Sequence, residues 1–138
     1  MNGLHDWLTL TRATDRQRRD VEALARGEKR VVRCYVQPSA DDHRKHWKPG
    51  VLLVSKYEMQ WKGSSRRWPP LTLKAREWFT NVRRPTRDDG VFNVYRIIMC
   101  SREAERHEIA VPRQDADLCL AVLRGWPGGD STPERAPE

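Results

Sequence analysis

The chain has 138 residues, 38% hydrophobic and 33% charged, with a mean hydropathy of -0.84 and a net charge of +7. That length fits one domain able to bury a core without disulfides or a metal. Three widely spaced cysteines argue against a disulfide framework, no apolar run approaches the ~20 residues of a membrane-spanning helix, and no signal-peptide hydrophobic region opens the chain.

A reducing, cytoplasmic setting follows, open to peripheral contact with a membrane. The positive charge is confined. Between His43 and Arg87 there are 12 Lys or Arg and 2 acidic residues, a local +10, and the remainder of the chain sums to -3. Such a segment concentrates anionic partners around itself, be they an acidic protein face, acidic lipid head groups or nucleic acid.

In chain order, Leu4, Trp7, Leu8 and Thr11 form a short stripe at helical spacing. Thr14 and Gln17 have the form of a capping box and Gly27 that of a left-handed stop, which predicts a helix of about three turns between them. Residues 30–37 alternate as a strand, with Val32, Cys34 and Val36 on one face. Pro38 ends it. Residues 51–63 read as a half-buried strand whose inner face carries Leu53, Ser55, Tyr57, Met59 and Trp61. The turn-rich Gly63-Ser64-Ser65 then makes a hairpin with the run from Leu71.

In residues 71–82 the alternation slips near Glu77, which predicts a bulge, a bend or two short strands. Residues 91–101 are apolar on both faces and residues 106–111 form a further strand, with His107, Ile109 and Val111 in line. Ala116, Cys119, Leu120 and Leu123 make the apolar stripe of a last helix, stopped at Gly125. The tail after Trp126 is Pro, Gly and charge, a disordered composition. Five or six antiparallel strands between two helices predict an α+β, mainly antiparallel domain. It would be a small barrel or bent sheet over residues 29–126, with an N-terminal helical segment over 1–28, a C-terminal capping helix and a tail over 127–138.

A run of strands closed by one C-terminal amphipathic helix resembles the pleckstrin-homology (PH) superfold. Gly50-Val51 through Gly125-Trp126, with the Arg-rich turns and the ending ERHEIAVPRQDADLCLAVLRGW, resembles more narrowly the bacterial PH-like family of unknown function DUF2550. Members of that family carry an N-terminal membrane anchor, which this chain departs from. The resemblance implies a non-enzymatic binding or adaptor module. Some PH domains hold phosphoinositide head groups with a Lys, a loop, then a Lys or Arg one residue from an Arg. Lys62, the loop through Trp68, and Lys74-Ala75-Arg76 have that form, and the resemblance implies that Lys74 and Arg76 share a strand face.

No nucleophile motif, P-loop or dinucleotide fingerprint occurs, so no catalytic residue and no cofactor is expected. His43 and His46, with Asp41 and Asp42, have ligand chemistry, but the intervening Arg44 and Lys45 oppose a dication and no metal is expected. Cys34, Cys100 and Cys119 sit in apolar runs, as buried inert thiols do. The expected anionic-partner site comprises Lys62, Arg66, Arg67, Trp68, Lys74, Arg76, Arg83, Arg84 and Arg87. The alternative is single-stranded nucleic acid, for which Trp47, Trp61, Trp68, Trp78 and Phe79 interleave with the cations.

Overall fold

The structure, a computed structural model, describes residues 15–38, 47–87 and 93–125. It opens with helix α1 (Asp15–Ala25). Strands β1 (Arg30–Pro38), β2 (Lys48–Val54), β3 (Glu58–Gly63), β4 (Leu71–Lys74), β5 (Phe79–Arg83), β6 (Tyr95–Arg102) and β7 (Glu105–Pro112) follow, and helix α2 (Arg113–Leu123) closes the set. The stripe expected around Leu4, the loop holding His43 and His46, and the tail over 127–138 lie outside the described residues.

All seven strands join one antiparallel sheet in the order β4-β3-β2-β1-β7-β6-β5. Laid flat, seven strands ~4.8 Å apart would hold β4 and β5 roughly 29 Å from each other. Yet the chain crosses from Lys74 to Phe79 through residues 75–78 alone, a span of at most roughly 18 Å. The sheet therefore curls into a half-barrel whose two edges face across a seam. This is the α+β, PH-like architecture.

The core lies inside the curl. Val32, Cys34 and Val36 of β1, Leu52 and Val54 of β2, Met59 and Trp61 of β3, Leu73 of β4, Ile98 and Cys100 of β6, and Ile109 and Val111 of β7 are buried there. Helix α2 fills the seam side, packed on β3, β6 and β7. The backbone N–H of Arg76 donates to the Leu123 carbonyl at 2.8 Å, and Arg124 Nε donates to Thr80 Oγ1 at 3.1 Å, so the end of α2 is tied to both sides of the crossing.

The expected stripe of α2 is buried, and so are Leu118, Ala121 and Val122 on its other side. Helix α1 supplies that second cover. At 11 residues it is marginal alone, but Val21, Ala23 and Leu24 are fully buried, and the Val and Leu side chains contribute roughly 1.5–3 kcal/mol each. Arg16 pairs with Asp115 at 3.4 Å, and Gln17 Nε2 donates to the Gln114 carbonyl at 3.2 Å. Gly27, at φ +89, ends α1: its N–H reaches the Leu24 carbonyl at 2.9 Å and that of Glu28 the Ala23 carbonyl at 3.0 Å.

One strand reading needs correction, and one open reading is decided. Residues 51–63 are not one strand but the β2–β3 hairpin, turned at residues 55–57, where Ser55 N and Oγ both donate to the Glu58 carbonyl at 3.0 and 3.1 Å. Leu53 is consequently only half-buried and Tyr57 is 58% exposed, whereas Met59 and Trp61 do face the core. The slip at Glu77 is the break between two short strands, β4 and β5. The strand read from residue 91 is described from Tyr95, and successive Ile97 and Ile98, on opposite faces, are both fully buried.

Candidate functional site

The nine expected residues fall into four places rather than one. Arg66 and Arg67 are exposed on the β3–β4 turn, where Ser65 Oγ accepts the Arg67 N–H at 3.2 Å. Trp68 ends that turn half-buried, stacked on Trp61 with ring centroids 6.2 Å apart and planes at 23°. Lys62 stands on the outer face of β3.

Lys74 ends β4 opposite Glu58, and four rungs of the hairpin separate it from the level of Lys62, roughly 13 Å along the strands. Arg76 does not share its face. It lies beyond the strand at φ +69, with its side chain over Gly125. The convergence of Lys62, Lys74 and Arg76 on one phosphate is thus not what the fold builds.

At the exit of β5, Arg83 is tied down: its Nη2 lies 3.4 Å from Glu108 Oε1, which also accepts Gln37 Nε2 at 2.7 Å. Arg84 and Arg87 are exposed. Arg84 and Arg113 are close enough to Arg96 to press its guanidinium, after burial has done so, below its ordinary pKa. Three cations thus share one corner.

Two faces gain residues that the sequence reading passed over. On the outside of the sheet, Arg33, Val51 and Lys62 are successive partners across β1, β2 and β3. With Tyr35, Pro49 and Tyr95, Arg33 and Lys62 line an open groove of about 490 Å³. Tyr35 and Tyr95 meet edge to face at 5.7 Å and 79°. Burial and then Tyr35 raise the Tyr95 hydroxyl pKa, and Arg33 works against them. Tyr95 of the groove is followed by Arg96, which pairs with Val111 and so takes the inner phase of β6 at the strand's start. The signal in the sequence was the polar phase of β1, which places Arg33 outward, and the position of Arg113 immediately after Pro112. No carboxylate among the described residues lies within ion-pairing distance of Arg33, Lys62, Arg84, Arg96 or Arg113.

The remaining chemistry is inward. Cys34, Cys100 and Cys119 are buried free thiols; burial pushes the first two up to about 12 and the third well above its ordinary range. His107 faces the core side, edge-on to Trp78 at 5.5 Å, with Nε2 2.8 Å from Glu105 Oε2. Of the aromatics interleaved with the cations, Trp61 and Trp78 are buried, and Phe79 is 80% exposed. Among the described residues no cluster of three or more His, Cys, Asp or Glu could hold a metal, and no helix is long and apolar enough to cross a membrane. Comparison with protein-family models, with curated proteins and with solved structures finds no match.

Proposed function

We propose that the chain is a non-enzymatic PH-like binding or adaptor module, related to the DUF2550 domains, that engages an anionic surface through an arc of cations, Lys62 and Arg33 on the outer face and Arg84, Arg96 and Arg113 around the start of β6. One observation carries this reading: Arg33 and Lys62 share a groove, and Arg84 and Arg113 press on Arg96, with no carboxylate among the described residues paired to any of the five. Cations that served solubility alone would be interspersed with acids. Among the described acids, Asp20, Glu28, Glu77, Glu105 and Glu108 are each already paired with an arginine outside this set.

Cosedimentation with vesicles, neutral against anionic, at physiological salt tests the reading, followed by competition with a single-stranded oligonucleotide and with a polyglutamate peptide. Binding to anionic vesicles or polyglutamate that disappears in the triple variant Arg33→Glu, Lys62→Glu, Arg84→Glu is the expected result. Unchanged binding by that variant would remove the arc from the function. Transfer to the oligonucleotide, with further loss in Trp68→Ala, would favour single-stranded nucleic acid. Trp68 supports that second reading less well than its loop position promised, because one ring face is already occupied by Trp61.

A further inference from the structure

The start of β2 breaks the inside-outside rule of its own strand. Lys48 is paired with Val36 across β1 and β2, and Val36 faces the core, so Lys48 carries an ammonium on the inward face. Its Nζ lies 5.8 Å from the centre of the Trp68 ring. No carboxylate among the described residues pairs with it. Glu105, beside His107, is engaged by His107 at 2.8 Å and by Arg102 at 3.2 Å.

Beside Lys48 lies a cavity of about 170 Å³, walled by Val36, Trp61, Trp68 and Leu71, with His107 at its edge. Trp61 is 3% exposed, and its indole N–H has no partner. That N–H lies over Gly50, while the ring itself walls the cavity. The volume is close to that of an engineered apolar cavity of ~150 Å³ that takes benzene. The mouths of barrels are common sites for such ligands.

We propose that this mouth binds a small carboxylate bearing a single aromatic ring, the ring between Val36, Trp61 and Leu71 and the carboxylate on the Lys48 ammonium. The indoles supply ring faces and edges for the aromatic body. The inward lysine, unpaired with any carboxylate among the described residues, selects the anion over a neutral ring of the same shape. The site shares no residue with the proposed arc of cations.

Sodium benzoate is the probe, titrated to ~10 mM into the ¹⁵N-labelled full chain while the six tryptophan indole N–H signals are followed. The Trp61 signal, assigned with Trp61→Phe, shifts saturably with a dissociation constant of about 1 mM or tighter. Sodium acetate causes no such shift. Lys48→Met weakens benzoate at least about tenfold and leaves benzyl alcohol unaffected. Leu71→Trp, or Val36→Phe if the first disturbs the amide spectrum, fills the cavity and abolishes binding. Absence of saturation, equal affinity in Lys48→Met, or full binding by a folded cavity-filled variant would each overturn the proposal.

Discussion

Replacing Gly50 by Ala tests how the barrel mouth is built. Gly50 pairs with Cys34 on one side and with Gly63 on the other. A Cβ there would collide with the Lys62 carbonyl oxygen and would come to 2.6 Å from Trp61 Nε1 and 2.9 Å from Gly63 Cα. Two of those three atoms are backbone of the partner strand, which cannot retreat without opening the ladder. In an unobstructed strand the same change stabilises by about 0.5–1 kcal/mol, through the entropy of the unfolded chain. Overpacking costs about 1–3 kcal/mol, more where backbone must move, and we expect a net loss of about 2 kcal/mol. In a domain of this size that lowers Tm by roughly 5–10 °C. Urea and thermal unfolding followed by far-UV circular dichroism give the number. The near-UV signal of the stacked Trp61 and Trp68 reports the cause. Gly27→Ala is the comparison, since its Cβ meets nothing within 4 Å; it loses about 1–2 kcal/mol to its left-handed backbone and leaves the near-UV signal intact. If Gly50→Ala matches or exceeds the wild type, the indole of Trp61 does not lie over Gly50.

Leu120→Asp places a charge on a side chain only 7% exposed between α2 and the sheet and should cost at least ~4 kcal/mol, enough to unfold the domain; an unchanged Tm would mean that the register of α2 is wrong. The thiols of Cys34 and Cys100, raised by burial to about 12, keep their protons in the folded state at pH values where an unfolded chain loses them. Stability should therefore fall as pH rises above ~9, and a thiol reagent at pH 8 should label the native protein only at its unfolding rate; rapid labelling without unfolding contradicts the burial. Burial raises the pKa of Asp115, with Arg16 opposing and Asp20 adding to the effect. The native state thus holds that proton more tightly than the unfolded chain, and the stability margin of Asp115→Asn over the wild type should shrink as pH falls from 7 to ~4. A margin that grows on acidification would reverse the sign.

The class of fold was legible because it depends on patterns that survive small errors of register. Val32, Cys34 and Val36 alternate cleanly, and Ala116, Cys119, Leu120 and Leu123 keep helical spacing, so both elements could be read from the residues alone. The β2–β3 hairpin was hidden by parity. Its inward residues are even-numbered before the turn (Leu52, Val54) and odd-numbered after it (Met59, Trp61). The turn at Ser55, Lys56 and Tyr57 contains no Gly, Pro or Asn, so one alternation seemed to run through it. The scatter of the basic patch has the same origin. A sequence places Lys62, Lys74 and Arg84 on one line, but the hairpin puts the first two four rungs apart and the curl carries the third around to β6. Arg33, Arg96 and Arg113 joined the site through strand pairing across long stretches of chain, which local composition does not encode.

The seam between β4 and β5 also sets an order of events during synthesis. Strand β1 finds one of its two neighbours in β7, made about seventy residues later. The two curled edges are fastened by contacts from Leu123 and Arg124. A nascent chain emerging from the ribosome can therefore form the β1–β4 meander early, but it must hold Leu52, Met59 and Leu73 uncovered until the last helix has cleared the exit tunnel. For the seconds that this takes, at ~5–20 residues per second, the partly built sheet presents the surface that a chaperone would grip.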